Sequence, residues 1–371
     1  MANNEYRKLP TGIQSFNKIR EENYLYVDKT DIIWNLANKG KQYNYLSRPR
    51  RFGKSVLIDT LQCYFEGRKE LFEGLKIMDL EKDWKEYGAA ISRTTLANWI
   101  IYSAEHYFRP LYDYFHRQLL LREFLMADET RVQVLKEPGR SAESQSFMWL
   151  FRSGEDGLAE IILYGYSPTR SCSHAKEFLE GYSGYLETDG YQGYNSLPGI
   201  RRCSCWAHIR RYFIDAVPKG KQYDYSQPAV QGVQYCNRLF AMEDSINKKY
   251  PGNYEKRKQL RLEKEKPVLE AFWSWLDQQK PVRNTRLDKA VNYVLNRRDI
   301  AETYLEDGRC SFTNNLSENA IRPFAVGRKN WLFSSSVDGA NASAVVYTMV
   351  EMAKAHGLNI YGYLKFLLEN R

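Results

Sequence analysis

The sequence predicts an α/β protein. Three observations carry that expectation. Residues 124–167 hold three short β-branched or aromatic segments, separated by Gly, Pro and Ser. After them, helical and strand-like segments alternate. Residues 230–305 then show almost no strand signal. With 371 residues there is room for two domains or more, and a hydrophobic share of 43% is enough to build packed cores.

The segments follow in order. "NYLYVDKTDIIWNLANKG" predicts a short strand and a helix, and "KQYNYLSRPRRFGKSVLIDTLQCYF" a strand, a basic loop and a helix. "KELFEGLKIMDLEKDWKEYG" is charged and helical or irregular. From about Ile91 apolar residues recur at helical spacing, with Ser92 or Thr94 as N-cap. "FLMADETRVQVL", "SQSFMWLFRS" and "LAEIILYGYS" are the three strands. "CSHAKEFLEGY" predicts a helix, "GYLETDGYQGYN" a strand ending in a turn, and "IRRCSCWAHIRRYFIDAV" a strand running into a helix. "NYEKRKQLRLEKEKPVLEAFWSWLDQQ" is amphipathic and helical, interrupted near Pro267, and "NASAVVYTMVEMAKAHGLNIYGYLKFLLEN" is helical.

A net charge of +9 favours an anionic partner, nucleic acid first. No stretch approaches the roughly 18 uninterrupted apolar residues of a membrane span, and the N-terminus has no apolar signal-peptide core. The cysteines at 63, 172, 203, 205, 236 and 310 form no paired zinc-ligand spacing. Reduced thiols in a cytoplasmic protein without a membrane partner are expected.

"NNLSENAIRPFAVGRKNW", residues 314–331, carries Arg322, Arg328 and Lys329 around one acid, Glu318. A phosphate-binding stretch keeps a carboxylate if that carboxylate holds a cation. Two further acids stand in unusual company. Asp128 lies within the first strand pattern, and Asp189 lies where a strand meets Gly190. Each also has a structural reading, since a strand acid can be solvated or paired and Asp-Gly is an ordinary turn. Together they fit phosphodiester cleavage with two magnesium ions roughly 3.5–4 Å apart, one activating the attacking hydroxyl and one stabilising the leaving oxygen. Magnesium takes oxygen ligands, which suits Asp and Glu. Arg322, Arg328 and Lys329 are then assigned to the DNA backbone.

"ISRTTLANWI", "ADETRVQVLKEPGR", "SFMWLFRSG", "TDGYQGYN", "CWAHIRRYF", "NNLSENAIRPFAVGRKNWLFSSS", "GANASAVVYTMVEMAKAHGLN" and "YLKFLL" occur in this order. Over residues 91–371 the chain thereby resembles the catalytic part of insertion-sequence-66 family transposases, which are DDE enzymes. The resemblance implies a ribonuclease-H-like core whose three acids map onto Asp128, Asp189 and Glu318, with a helical insertion before the last. It also implies magnesium (manganese as a substitute), strand nicking and transfer on terminal inverted repeats and target DNA, multimers, and accessory proteins of the same element. The family has a histidine where His208 stands, which is either a site residue or a structural hydrogen-bonder; Arg210 and Arg211 beside it are assigned to DNA with it. Glu129 is assigned no role. Tyr191 and Tyr194 are packing residues or stack on a flipped base.

"LSRPRRFGKSVL" holds Gly53-Lys54-Ser55, the back half of a P-loop with Arg48 in place of its first glycine. Residues 5–87 resemble the start of a bacterial AAA-type ATPase-like family, in which Lys54 would meet the β- and γ-phosphates and Ser55 magnesium. About 87 residues cannot complete a nucleotide-binding sheet, so ATP is not an expected cofactor. The expected chain is a hybrid with a seam near Tyr87–Ala90. It comprises a truncated P-loop-like α/β fragment over 1–88, a helical connector over 89–123 and the catalytic domain over 124–371. The helical insertion falls at about 230–305 and a C-terminal helical element at about 339–371. The expected function is a DDE transposase, with an ATP-binding module or an inactive DNA-binding remnant as alternatives.

Overall fold

The computed structural model describes residues 7–13, 15–39, 54–78, 93–195 and 197–370. The chain forms two compact units, Met1–Thr95 and Leu96–Arg371.

In the first unit, helices α1 (Phe16–Glu21), α2 (Thr30–Lys39) and α3 (Lys54–Phe65) surround Phe16, Ile33, Cys63, Leu71, Phe72 and Ile77. The strand expected before α2 does not form. A strand needs a neighbour's ladder, and this unit has no strand among its described residues. The backbone groups go elsewhere: Leu25 N–H donates to the Lys8 carbonyl at 2.9 Å. Asp28 accepts from the Thr30 N–H at 3.0 Å and hydroxyl at 2.7 Å, and from the Lys76 N–H at 2.7 Å. It thus caps the start of α2 instead of sitting in a ladder. The second expected strand and the expected seam at 87–90 lie outside the described residues.

The helix α4 (Arg93–Ser103) begins at the boundary and runs through a π-helical turn, Ala104–Phe108, into α5 (Arg109–Leu120). Three strands follow: β1 (Phe124–Lys136), β2 (Gln145–Ser153) and β3 (Ile162–Ser167). Next come α6 (Cys172–Phe178), β4 (Gly184–Thr188) and β5 (Ile200–Ser204). The sheet order is β3-β2-β1-β4-β5. The first three strands form an antiparallel meander, and β4 and β5 run parallel to β1. The α/β expectation therefore holds.

The helices α7 (Trp206–Ala216), α8 (Pro228–Lys249), α9 (Tyr254–Leu260), α10 (Lys266–Asp277) and α11 (Arg286–Leu295) come next. Then follow α12 (Asn315–Trp331), the short strand β6 (Ser334–Ser336), α13 (Val337–Ala355) and α14 (Ile360–Glu369). The sequence reading did not anticipate β6, which pairs in parallel with the far end of β1 at Val134 and Lys136. The interruption expected near Pro267 is a π-helical turn, Arg261–Glu265. Pro267 follows directly within the unbroken helical run, where the wider π turn accommodates a residue that cannot donate an N–H.

Two cores hold this unit. One joins Trp149 and Phe151 of β2, Leu163 and Tyr164 of β3, and Val345, Met349 and Met352 of α13. The other gathers Trp206, Phe213, Phe272, Trp273, Val291, Tyr304 and Phe312 around α7 and the helical insertion. In the second, buried Arg261 donates to the Glu243 carboxylate and to the carbonyls of Tyr304, Asp307 and Cys310. One side chain thus fixes the segment leading to α12. On the first side, α13 covers the open edge of β3. The Thr348 hydroxyl accepts the Tyr164 N–H at 2.9 Å, and Met352 sulfur accepts that of Ile162 at 3.2 Å. This removes a free edge that could template aggregation.

Thr348→Val leaves the buried Tyr164 N–H without its acceptor. A stability loss of about 1–3 kcal/mol follows, read as a lower urea midpoint; an unchanged midpoint contradicts the edge-cover assignment.

Candidate active site

The parallel pairing of β1 with β4 sets the site. Phe124, Leu125 and Met126 lie opposite Tyr185, Leu186 and Glu187, an offset of 61 residues (187 − 126). The same offset carries Asp128 to Asp189 (189 − 128), immediately past the end of β4. Both acids therefore stand at the C-terminal end of the parallel pair, where a strand stops and a cleft opens.

Burial pushes the Asp128 carboxyl up to about 8, helped by Glu129, then Asp189 and Glu318; its Oδ1 accepts the Glu129 N–H, which opposes the shift. Asp189 Oδ1 accepts the Tyr191 N–H at 2.8 Å, and Oδ2 lies 3.8 Å from the Arg170 guanidinium.

Glu318 arrives from the first turn of α12. The helix start is pinned by Asn314, which is fully buried. Its side-chain amide donates to the Ala127 carbonyl at 3.0 Å, one residue before Asp128, and its backbone N–H to Cys205 sulfur at 3.2 Å. Cys205 stands at the N-cap of α7, and His208 lies in that helix's first turn. His208 Nδ1 is 3.8 Å from Glu318 Oε1. Burial lowers the imidazole's pKa, against the pull of Glu318, so neutral imidazole is favoured. Both of those atoms are buried without a hydrogen-bond partner. The structure thus brings Asp128, Asp189, Glu318 and His208 into one neighbourhood.

Sequence reasoning missed the residues behind the acids. Glu129 was given no role, yet it anchors the floor of the site. Its Oε1 accepts from Arg170 Nε at 2.6 Å and its Oε2 from the Tyr194 hydroxyl at 2.7 Å. Burial raises its pKa, with Asp189 adding to the shift. The Arg170 guanidinium also lies 3.8 Å from the Tyr191 ring centre. Tyr194 is thereby a buried packing residue, and Tyr191 lines the cleft. Gly190 is needed because a Cβ there would strike the Tyr293 hydroxyl and Arg297. Arg297 donates to the Gly190 carbonyl, and the Tyr293 ring stacks on Tyr212 at 3.9 Å. A cleft of about 370 Å³ results, lined by Arg170, Asp189, His208, Tyr212, Tyr293 and Arg297 among others. Only the Asp-Gly pair hinted at this crowding in the sequence.

The basic residues separate by position. Arg322 is exposed one helical turn beyond Glu318, on the same side of α12. Arg328 and Lys329 lie near the other end of α12, roughly 15 Å along the axis from Glu318. There Arg328 donates to the Arg131 carbonyl, and exposed Lys329 lines a groove with Arg131. Arg211 is exposed and near His208. Arg210 instead turns to α8, with Nε donating to Asn237 Oδ1 at 2.6 Å. Of the P-loop residues, Gly53 lies outside the described residues, Lys54 opens α3 and Ser55 is exposed on it.

An acid held above its ordinary value near 3.8 favours the folded state below that value and loses the contribution as pH rises through about 8. Without divalent cations, melting temperature falls from pH 6 to pH 9 more steeply in the wild type than in Asp128→Asn. Parallel profiles contradict the crowding of acids around Asp128.

The model of the Transposase IS66 family matches residues 73–342. The chain is 27% identical to the uncharacterized protein y4qI of Sinorhizobium fredii (strain NBRC 101917 / NGR234), over 79% of this chain and 56% of that one. It is also 27% identical to the uncharacterized protein y4hP of the same organism, over 76% and 53%. A stretch of 79 residues is 53% identical to an uncharacterized protein in the vnfD 5' region of Azotobacter chroococcum mcd 1, covering 21% of this chain and 15% of that one. The chain spans about half the length of the first two relatives. The family match starts ahead of the seam expected at 87–90, so residues 73–87 fall to the transposase match. None of these matches supports the ATPase-like reading of the N-terminal residues. Because the family match covers well over half of the chain, this protein belongs to the Transposase IS66 family.

Proposed function

We propose that this chain carries the catalytic centre of a DDE transposase, which cleaves DNA strands and transfers them during DNA transposition. The observation that carries the reading is the parallel register of β1 with β4, whose 61-residue offset (187 − 126) continues past Met126 and Glu187 to Asp128 and Asp189, with the helix of Glu318 bonded to the backbone beside Asp128. The strand order β3-β2-β1-β4-β5, with an antiparallel meander followed by parallel strands, supports a ribonuclease-H-like core.

The donor set fits magnesium. Asp189 lines the cleft, Asp128 lies within electrostatic reach of both Asp189 and Glu318, its carboxyl is held up toward neutral pH, and Glu318 Oε1 has no hydrogen-bond partner. A hard divalent cation removes that repulsion. Asp128, Asp189 and Glu318 would hold two magnesium ions, or manganese in their place, which when bound supply an activated hydroxyl and neutralise the leaving oxygen.

The chain's own groups do the rest. Arg170 holds Glu129 and approaches Asp189, which fixes the floor of the cleft. Exposed Arg322 and Arg211 meet the phosphate backbone near the acids, and Lys329 with Arg328 meets it further along α12. Tyr191, Tyr212 and Tyr293 offer ring faces at the cleft for an unpaired base. DNA with terminal inverted repeats and a target duplex are the partners, with the chain acting as a multimer alongside accessory proteins of the element. Among the described residues no helix is long and apolar enough to cross a membrane.

Nicking of a labelled duplex carrying the element's terminal repeat tests this. Asp189→Asn lowers the magnesium-dependent rate by ~10²-fold or more; nicking that survives the substitution refutes the carboxylate assignment, and a wild type that binds without cutting marks a remnant. Binding to random duplex weakens at least about tenfold from about 50 to about 200 mM salt. Salt-independent binding contradicts backbone recognition.

A further inference from the structure

We propose that Cys205, His208 and Glu318 form a binding site for a zinc-class divalent cation, separate in its chemistry from the magnesium site and able to switch it off. One donor atom from each residue lies within 4.8 Å of the others. His208 Nδ1 and Glu318 Oε1 face each other at 3.8 Å, both buried and both without a hydrogen-bond partner. Two unpartnered donors facing one another are a cost unless something sits between them.

The cradle is built by two helix starts. Cys205 caps α7 and His208 follows three residues on, which puts sulfur and imidazole on the same side of the first turn. The Asn314 N–H points at Cys205 sulfur at 3.2 Å, and Asn314 also fixes the start of α12, which carries Glu318. Burial and then Glu187 push the Cys205 thiol up to about 12, against the backbone N–H groups of Asn314, His208 and Ala207, so the thiol keeps its proton until a metal displaces it. None of the three residues depends on a long loop for its position.

The donor set decides the ion. Magnesium takes oxygen ligands. One sulfur, one nitrogen and one carboxylate oxygen match zinc, with bonds of about 2.3, 2.0–2.1 and 2.0–2.2 Å. Those lengths place tetrahedral donors ~3.3–3.7 Å apart, so the present spread closes by about an ångström on binding. Three protein ligands leave the fourth position to water. On binding, the thiol proton of Cys205 is released to solvent as the sulfur–metal bond forms.

Glu318 belongs to both sites, so an ion held by Cys205 and His208 draws that carboxylate away from Asp128 and Asp189. This regulatory half rests on the function proposed above. Zinc at low concentration then inhibits magnesium-dependent cleavage competitively.

The test uses the full chain, freed of metal and titrated with cobalt(II), whose thiolate charge-transfer band reports sulfur ligation. One equivalent is expected to give the band. Cys205→Ser removes it and His208→Ala weakens cobalt binding at least tenfold, while Asp128→Asn keeps both the band and the affinity. Zinc-edge X-ray absorption of the unaltered protein gives one sulfur among nitrogen and oxygen neighbours. That measurement needs no variant to fold. A shell without sulfur, or a cobalt band that survives in Cys205→Ser, overturns the site. The band reads the metal site alone, so its presence in a protein that never cuts DNA leaves this inference standing and removes only the cleavage reading. Zinc binding with full cleavage activity would overturn the regulatory half.

Discussion

A hydrogen bond from the Asn314 side chain to the Ala127 carbonyl joins the last part of the chain to the first strand of the sheet. It spans 187 residues, and it delivers Glu318 to acids that the sheet has already assembled. Asp128 and Asp189 need only the local register of two neighbouring strands. Glu318 needs a long-range bond because it arrives on a helix. Asn314 is fully buried, so the bond is shielded from competition with water. Its loss would leave the Ala127 carbonyl and the start of α12 without their partner, and the third acid without a fixed place.

The helical insertion is therefore more than a decoration between the second and third acids. Arg261 holds the carbonyls of Tyr304, Asp307 and Cys310 on the approach to Asn314, and Trp206 N–H bonds to the Phe312 carbonyl at 3.1 Å. Arg297 and Tyr293 reach back from the insertion to Gly190 and the cleft wall. A buried arginine satisfied by a carboxylate and three carbonyls is costly to disturb, because removal of either partner strands the other. The insertion thus couples its own stability to the position of Glu318.

Much of this was legible in the sequence, for identifiable reasons. The three strand segments announce themselves by β-branched and aromatic runs between turn residues. The spacing between Asp128 and Asp189 was visible, but only the pairing shows that it equals the register of β1 with β4. The strand expected before α2 failed because a local apolar segment says nothing about a partner strand, and Asp28 made a better cap than ladder residue. Glu129 was set aside by the two-residue period of a strand, which does turn it from Asp128. What the period cannot tell is that Arg170 and Tyr194 wait on that other side. Arg210 and Arg211 looked alike as neighbours in a basic run, yet only the packing of α8 reveals which of them is already engaged. Asn314 lay in plain sight within "NNLSEN", but no local pattern marks a side chain whose acceptor is 187 residues away.

The proposed function requires that the three carboxylates jointly hold divalent cations. Crystals of the chain soaked in manganese, with anomalous scattering recorded at the manganese edge, test this most directly. The predicted result is strong anomalous density between Asp128, Asp189 and Glu318, within coordination distance of all three carboxylates. Density confined to other surface acids, or none at this cleft at saturating manganese, would contradict the account.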